Sequence, residues 1–282
     1  MMILFILLLC ISVSAKTCAL FSSPKFKRCK IYQGPKLDIN DFDIYQKGAH
    51  DKLSELLRTH QKTHTYTCLW MAIADTDQET LDSLSLTLWY KSTSIKIKSR
   101  DCGQNDPNAW NREHIWAKSR GFPKKKSLAY RDLHHIRASD RSLNTWRSNR
   151  YFAEFSESEE LMLKRNQECP QGCFRDKTYF EPPAWRKGDI ARALLYMDLR
   201  YDGHPKDKTP DLQILVDYPD RVSKARYWGG LCTLLNWHNE DPPDELENYR
   251  HSVIQEWQGN PNPFILKPRW ADILYGSSCK KL

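Results

Sequence analysis

Three segments of the chain have hydrophobic residues at helical spacing. They are residues 51–60, 188–203 and 242–259, and each spacing predicts an amphipathic helix. In the second segment Asp189 is the predicted N-cap and Gly203 the predicted terminator. In the third predicted helix, Leu246, Tyr249, Val253 and Trp257 fall on one face.

Between the first and second of these helices, hydrophobic and polar residues alternate, which is typical of strands. The alternating hydrophobic positions are Leu84, Leu86, Leu88, Ile95 and Ile97. No internal repeat and no linker rich in glycine and serine interrupts the chain. The pattern therefore predicts a single α+β domain that is mainly helical, and 282 residues are enough to bury a substantial core.

The N-terminus has the composition of an export signal. Residues 1–15 are apolar from Met2 to Val13 and end in the small residue Ala15 before Lys16, as at a signal-peptidase site. A membrane anchor is the alternative, but the apolar run is shorter than the roughly 20 residues that span a bilayer. We therefore expect a cleaved signal peptide, a protein secreted or held in the periplasm, and no membrane attachment after cleavage.

Residues 16–50 follow as an arm rich in lysine and cysteine, and the predicted main domain extends over residues 51–282. The cysteines outside the signal peptide are Cys18, Cys29, Cys68, Cys102, Cys169, Cys173, Cys232 and Cys279. An even number in an exported chain predicts up to four disulfides that staple the fold. A zinc site at Cys169 and Cys173 is the alternative. No second cysteine pair has ligand spacing, so disulfides are favoured.

The positive charge of the chain is concentrated in one window. Residues 112–150 contain eleven Lys or Arg and three acidic residues, so this window accounts for the whole formal net charge of +8. A solvated face is the usual explanation of a charged run, whereas so local an imbalance favours a bound polyanion. On charge alone, nucleic acid, heparin-like sugars and anionic lipid are all candidates.

The segment WNREHIWAKSRGF places Glu113 directly beside His114 in this basic window. The carboxylate is a hard oxygen donor suited to Mg²⁺ or Ca²⁺. A neutral imidazole beside it is able to take a proton from water, since its unperturbed pKa is about 6.5. Adjacent side chains on a strand point to opposite faces, so the pair can share one cavity only where the strand ends, bulges or twists. We predict such a break here.

A second polar cluster supplies partner residues. From Ser139 or Asp140 the composition predicts a helix, which places Asn144 and Arg147 on one face, three residues apart. The Asn144 amide is a second, neutral oxygen donor. Two protein ligands leave most of an octahedral shell to water and substrate, as Mg²⁺ commonly requires.

Five short segments, in this order, resemble the bacterial endonuclease I family of periplasmic and extracellular nucleases. They read WNREHIWAKS, DLHHIRASD, LNTWRSN, GDIARALLYM and QGNPNPFI. The resemblance extends from about residue 51 to about residue 267 and implies a ββα-metal motif, or His-Me finger. It also implies an endonuclease with one divalent metal, most often Mg²⁺, with Mn²⁺ or Ca²⁺ as alternatives. Such an enzyme hydrolyses DNA, with RNA as a further candidate, without sequence specificity and leaves 5′-phosphate ends.

Carried over by position, the resemblance assigns Glu113 and Asn144 as metal ligands and His114 as the general base. Arg147 belongs to the same motif as Asn144 and either orders the helix or contacts substrate. The family's phosphate-binding arginine falls where this chain is shorter and reads KSRGFPKKKS. Its candidate replacements are Lys118, Arg120 and Lys124. We expect a monomer that binds nucleic acid through the phosphate backbone; a non-catalytic polyanion-binding protein on the same scaffold is the alternative.

Other candidate residues have structural roles that we favour. Asp132, His134 and His135 form a conceivable metal cluster, but we expect these residues to make hydrogen bonds within the fold. For three tryptophans near the polar positions, core packing is favoured over base stacking. They are Trp110, Trp116 and Trp146. The sequence has no HExxH motif, which argues against a zinc protease.

Overall fold

The computed structural model describes residues 21–80, 83–91, 93–155, 167–169, 172–219 and 226–279. The predicted signal peptide and Cys18 lie outside these ranges. Helices contain more residues than strands in the described part of the chain, so the prediction of a mixed and mainly helical fold is confirmed. No helix in these ranges combines the length and the apolar character needed to cross a bilayer.

The helices confirm all three predictions from hydrophobic spacing, in α1, α4 and α6. In chain order they are α1 (Ala49–His60), α2 (Leu69–Thr76), α3 (Arg141–Arg147), α4 (Lys187–Arg200), α5 (Leu231–Glu240), α6 (Glu245–Gln258), α7 (Pro263–Leu266) and α8 (Trp270–Cys279). α4 is the central helix, because most of its residues are buried and it packs against α1 and α5. It runs through the larger hydrophobic core.

The predicted ends of α4 are wrong. The helix begins two residues before Asp189, whose carboxylate lies in the first turn and pairs with Arg186 and Arg192 instead of capping the helix. The last helical residue is Arg200, so Gly203 lies beyond the end. In a sequence, an acidic residue in the first turn of a helix looks the same as an acidic N-cap. In this helix the ion pairs with Arg186 and Arg192 accompany the first-turn position of Asp189.

The predicted face of α6 is buried in part: Trp257 is 1% exposed and Val253 packs against the core. Leu246 is 43% exposed, whereas Glu247 and Arg250 are buried. Arg250 Nε lies 2.7 Å from Asp77 Oδ1. Glu247 Oε2 lies 2.6 Å from Arg192 Nη2. Hydrophobic spacing cannot identify a helix face that is buried through ion pairs, because such a face appears polar in the sequence.

The strands form small sheets. They are β1 (Ser85–Thr87), β2 (Ser94–Lys96), β3 (Trp110–His114), β4 (Ile136–Asp140), β5 (Tyr151–Phe152), β6 (Gln167–Glu168), β7 (Phe174–Arg175), β8 (Tyr179–Glu181), β9 (Gln213–Ile214) and β10 (Tyr227–Trp228). β1 pairs antiparallel with β2, which confirms the strands predicted from alternation. β5, β8, β7 and β6 form a four-stranded sheet in that order, β9 pairs with β10, and β3 pairs with β4.

Disulfides staple the fold, as the cysteine count predicted. The described bonds join Cys29 to Cys68, Cys169 to Cys173, and Cys232 to Cys279. The first ties the N-terminal arm to the start of α2, and the last ties α5 to the end of α8. Cys102 is also disulfide-bonded. The alternative of a zinc site at the CPQGC segment is therefore wrong.

A buried carboxylate connects the segment before β4 to the helical core. Asp132 accepts hydrogen bonds from the hydroxyl groups of Tyr196 and Tyr201, both at 2.8 Å. Gln258 donates to its other oxygen at 3.0 Å, and the Asn260 amide donates to the Tyr196 hydroxyl at 2.7 Å. The DLHHIRASD and QGNPNPFI segments, far apart in sequence, thus meet at one network that positions β4.

Candidate active site

The frame of the site is an antiparallel strand pair followed directly by a helix. β3 runs beside β4, with Glu113 opposite Arg137. α3 begins immediately after β4, and Asp140 caps it by accepting a hydrogen bond from the Leu143 amide at 2.9 Å. The helix predicted from this segment is therefore confirmed, including its start at Asp140.

An open cavity of about 460 Å³ lies where β3 meets α3. The structure brings Glu113, His114, Asn144, Arg147 and Lys118 together in its wall. The other lining residues are Asn111, Arg112, Ala117, Ser119, Thr145, Ser148 and Asn149. Side chains from both predicted motifs therefore meet at one polar, solvent-accessible cavity.

The cavity is reached from both faces of β3. Asn111 and Glu113 lie on the face toward α3, and alternation places Arg112 and His114 on the other. β3 ends at His114 and, in the part of the chain that is described, its second edge has a single bridge, at Trp110. Because β3 is an edge strand and ends at His114, side chains from both of its faces line the same cavity. The predicted break is confirmed as a strand end.

The Glu113 carboxylate is buried and only partly neutralised. Both of its side-chain partners contact Oε1: the Tyr90 hydroxyl donates to it at 2.7 Å, and Arg147 Nη1 lies 3.3 Å away. Burial raises the pKa of Glu113, and the positive charge of Arg147 opposes this shift. The His114 main-chain N–H also hydrogen-bonds to the carboxylate. Among the described residues no side-chain hydrogen bond or ion pair involves Oε2, and Glu113 lines the cavity, so Oε2 is the oxygen considered for a ligand there.

The Asn144 amide is oriented by a neighbour on the strand. Its Nδ2 group donates a hydrogen bond to Oδ1 of Asn111 at 2.7 Å. Asn111 lies two residues before Glu113 on the same strand face. This bond holds the NH₂ group toward Asn111, and hard cations take oxygen ligands, so the amide oxygen of Asn144 is the atom suited to a ligand.

These residues fit a hard divalent cation. Carboxylate and amide oxygens are the donors that Mg²⁺ and Ca²⁺ prefer. Glu113 Oε2 and Asn144 Oδ1 supply two such oxygens. A cation would also neutralise the part of the negative charge of Glu113 that Arg147 does not neutralise. In the described ranges no cluster of three or more His, Cys, Asp or Glu side chains could hold a metal. Two protein ligands would leave most of an octahedral shell to water and substrate.

His114 is held in the neutral state with one nitrogen unprotonated. Its Nε2 lies 3.2 Å from the Tyr130 carbonyl, and since a carbonyl only accepts, Nε2 is the protonated nitrogen. Nδ1 therefore keeps its lone pair. Burial lowers the pKa of His114 well below its usual range, and the neighbours His135 and Lys118 lower it further. The imidazole is thus uncharged at neutral pH and able to accept a proton.

Of the three candidate phosphate ligands, the structure brings Lys118 to the cavity and not the other two. The Lys118 side chain is exposed, and its Nζ lies 3.4 Å from the Tyr130 hydroxyl. Arg120 is buried, and its Nε and Nη2 both donate to the Asn149 carbonyl, at 3.1 and 2.8 Å. Lys124 is exposed on the loop beyond the cavity wall.

Arg147 has contacts that favour the ordering role among its two predicted roles. It is 1% exposed. Its Nη1 donates to the His114 carbonyl at 3.2 Å, and its Nη2 donates to the Ile115 carbonyl at 2.7 Å. Together with the ion pair to Glu113, these bonds fix the end of β3 to α3.

Three residues of the site were not identified from the sequence: Tyr90, Asn111 and Arg112. Tyr90 lies 23 residues before Glu113, and no motif connects the two. Asn111 and Arg112 belong to the NREH segment. Strand alternation, which pairs Asn111 with Glu113 and Arg112 with His114, is the signal that could have identified them.

The remaining candidates have structural contacts. His134 and His135 are buried, and their Nε2 atoms lie 3.0 and 2.6 Å from main-chain carbonyl oxygens. The expected hydrogen-bonding role of these histidines is confirmed. Trp110 and Trp116 are fully buried, as expected for core residues, and Trp146 is partly buried against the core.

An open polar cavity with a buried carboxylate and a neutral imidazole has the make-up of a hydrolytic active site. The family model of Endonuclease I matches residues 46–269. An extracellular ribonuclease of Bacillus subtilis (strain 168) is 34% identical over 249 residues, 86% of this chain and 81% of that protein. An extracellular ribonuclease of Bacillus amyloliquefaciens is 35% identical over 246 residues, 83% of this chain and 79% of that protein. The chain belongs to the Endonuclease I family, which confirms the resemblance of its motifs.

Proposed function

We propose that the chain is a secreted, metal-dependent endonuclease that hydrolyses phosphodiester bonds without sequence specificity. The observation that supports this most directly is the meeting of Glu113, His114, Asn144 and Lys118 at one cavity. Membership of the Endonuclease I family and the basic window support nucleic acid as the polyanion. The two extracellular relatives and the signal-like residues 1–15 support secretion.

In this proposal β3, β4 and α3 form the ββα-metal finger. Glu113 and Asn144 would hold one divalent cation, for which Mg²⁺ is favoured because it prefers few protein oxygens. A cation bound there supplies electrophilic stabilisation of the phosphoryl oxygens and of the departing oxygen. The hydrogen bond from Tyr90 and the ion pair with Arg147 keep the Glu113 carboxylate in place.

The proton transfer and the anion binding belong to side chains of the protein. Nδ1 of His114 accepts a proton from a water molecule while the oxygen of that water forms a bond to phosphorus. The bond from phosphorus to the 3′ oxygen breaks, and solvent protonates that oxygen. Lys118 binds the phosphate from the exposed side of the cavity. The products carry a 5′-phosphate and a 3′-hydroxyl.

Both RNA and DNA are proposed substrates. The two ribonuclease relatives support RNA, and the motif resemblance implies DNA. The proposed contacts are with the phosphate backbone, which is common to both polymers and carries no base sequence. The same contacts are expected to weaken steeply as salt is raised.

Incubation of the purified protein with supercoiled plasmid DNA and with RNA, each with Mg²⁺ or with excess EDTA, tests the proposal. We expect internal cuts in both polymers with Mg²⁺ and none with EDTA. His114→Ala should bind DNA as the wild type does and lose about 10²- to 10⁴-fold in cleavage rate. His50→Ala, outside the cavity, is the matched control.

Two results would contradict these assignments. Normal cleavage by His114→Ala would remove the assignment of the base. Binding of DNA without cleavage at any metal concentration would favour the non-catalytic alternative. Secretion is tested separately: the N-terminus of protein recovered from the culture medium should be Lys16, and protein that stays with the cells and keeps residues 1–15 would argue against a cleaved signal.

A further inference from the structure

The guanidinium of Arg112 is held by two aromatic rings at the edge of the cavity. Its Cζ lies 3.5 Å from the ring centroid of Tyr66 and 4.0 Å from that of Trp70. Arg112 Nη1 also donates to the Tyr66 carbonyl. Rings at these distances cover the faces of the planar cation. A ligand in the cavity, which Arg112 lines, therefore approaches the N–H groups in the plane of the guanidinium.

Both rings are carried by a constrained part of the chain. Tyr66 lies two residues before Cys68, which is bonded to Cys29. Trp70 lies in the first turn of α2. A guanidinium fixed in this way loses less conformational entropy on binding an anion than a freely rotating one does. The contacts therefore prepare Arg112 for bidentate recognition of a phosphate group.

Arg112 has hydrogen-bonding capacity left, in contrast to Arg147. Nη1 and Nη2 of Arg147 already contact main-chain carbonyls and Glu113. Within the described residues the Tyr66 carbonyl is the one hydrogen-bond acceptor of Arg112, and no carboxylate forms an ion pair with it. Burial lowers the pKa of Arg112 to about 10, so the group stays protonated at neutral pH.

The position of Arg112 relative to His114 indicates which phosphate of the substrate Arg112 would bind. Arg112 and His114 lie on the same face of β3, two residues apart, which is about 6.6 Å along a strand. That separation is comparable to one nucleotide step along a nucleic-acid backbone. Lys118 and His114 line the same cavity. The cavity thus has one cation at the proposed cleavage position and a second cation one step away.

We propose that Arg112 binds the phosphate next to the one that is cleaved. This inference rests on the proposed nuclease function and deepens it, because a charged neighbouring phosphate becomes part of the recognised substrate. The enzyme should accordingly cut a linkage faster when an adjacent linkage on one side carries a negative charge. Sequence specificity is not affected, since every linkage of a natural strand has such neighbours.

Three short oligonucleotides of one base sequence test the proposal on the wild-type protein. Each contains one ordinary phosphodiester among uncharged methylphosphonate linkages. In two of them the neighbouring linkage on the 5′ side or on the 3′ side is a charged phosphonate in which a methylene group replaces the 3′ oxygen, so that the bond cut by the enzyme is absent from it. With Mg²⁺ we expect kcat/KM to be about 10- to 100-fold higher when the charge is on one of the two sides. Equal values for all three substrates would overturn the proposal.

Variants then assign the effect to Arg112. Arg112→Ala should cut the three oligonucleotides with equal kcat/KM, and Arg112→Lys should show a reduced preference, because an ammonium group cannot bind phosphate in a bidentate manner. Arg269→Ala, an exposed arginine outside the cavity, is the matched control and should keep the wild-type preference. A full preference in folded Arg112→Ala or Arg112→Lys would overturn the assignment.

Binding without cleavage gives a second readout. In EDTA, the slope of log K against log salt should be less steep for Arg112→Ala than for the wild type by about 0.7 to 0.9, the value for one lost phosphate contact. A purely structural role of Arg112 would leave that slope unchanged in folded protein. Circular dichroism checks folding, and Arg112→Gln, which also removes the charge, replaces Arg112→Ala in both measurements if that variant does not fold.

Failure of this inference is distinct from failure of the proposed function. Plasmid DNA that stays intact with Mg²⁺ contradicts the nuclease function itself. Cleavage of plasmid with equal rates on the three oligonucleotides contradicts only the neighbouring-phosphate site. Cleavage of plasmid and of none of the oligonucleotides also counts against Arg112, because one of these substrates supplies both phosphates that the proposal requires.

Discussion

The Nδ2 group of Asn144 in α3 donates a hydrogen bond to Oδ1 of Asn111 in β3 across 2.7 Å. This bond determines which end of the Asn144 amide is available to the cavity. Asn111 is not itself a proposed ligand, yet it controls the orientation of one. Residues that orient ligands in this way commonly matter nearly as much as the ligands themselves.

Asn111→Leu removes the acceptor and is expected to weaken Mg²⁺ or Mn²⁺ binding about 10- to 100-fold. Asn111→Asp keeps an acceptor at the same place, so its affinity should not fall. Titration calorimetry without nucleic acid measures both values. Asn248→Leu, an exposed asparagine of α6, is the control. Unchanged affinity in Asn111→Leu would show that Asn144 does not depend on this bond, or is not a ligand.

Arg147 and Lys118 both line the cavity but should respond differently to substitution. Arg147 is 1% exposed and is the cationic partner of the buried Glu113 carboxylate. Arg147→Met is therefore expected to lower the free energy of unfolding by about 3–5 kcal/mol. Lys118→Met removes an exposed charge and should change that free energy by less than about 0.5 kcal/mol, while it lowers kcat/KM. Urea unfolding and cleavage assays give the two values, and the opposite pattern would exchange the two roles.

Local sequence patterns predicted the elements of the site well. The approach of Asn144 to Glu113 was implied by the family resemblance, whereas helical spacing predicted that Asn144 and Arg147 share one face. Strand alternation predicted that Glu113 and His114 point apart in a regular strand. The strand end at His114 followed from the same reasoning, since two adjacent side chains cannot share a cavity within a regular strand. The inferences from spacing and alternation use geometry within a single element.

Contacts between elements were not predictable in the same way. Tyr90 donates to Glu113, yet no spacing or motif connects the two residues. Arg120 was an equal candidate with Lys118 for phosphate binding, but its Cζ lies 3.6 Å from the ring centroid of Tyr151 in the fold. Whether a basic side chain in a charged window is buried against an aromatic ring or exposed to a ligand depends on tertiary packing, which composition does not report.

His134 and His135 should make stability depend on pH in the acid range. Burial lowers the pKa of each to about 4, against the opposing charge of Asp132. In the unfolded chain both return to about 6.5, so the unfolded state binds more protons between these values. The stability present above pH 6.5 is therefore lost as pH falls toward 4, by up to about 1.4 kcal/mol per pH unit for each histidine.

Urea unfolding at a series of pH values between neutrality and mild acid measures this slope. His134→Gln removes one titrating group and keeps an N–H donor, so its slope should be shallower than that of the wild type by about 1.4 kcal/mol per pH unit. An unchanged slope would mean that other groups account for the acid sensitivity of the fold.

The disulfide between Cys29 and Cys68 should stabilise the fold more than the one between Cys169 and Cys173. The first closes a sequence separation of 39 residues and the second a separation of 4. The entropy that a cross-link removes from the unfolded chain grows with loop length, so replacing each pair by serine should lower the free energy of unfolding by about 4 and about 2 kcal/mol respectively.

The loop closed by Cys29 and Cys68 also carries Tyr66, so loss of this disulfide should lower nuclease activity as well. Protein folded in reductant should be less active than oxidised protein. Urea unfolding and plasmid cleavage of the two double variants measure these effects, and equal destabilisation with equal activity would show that neither loop length nor the position of Tyr66 matters.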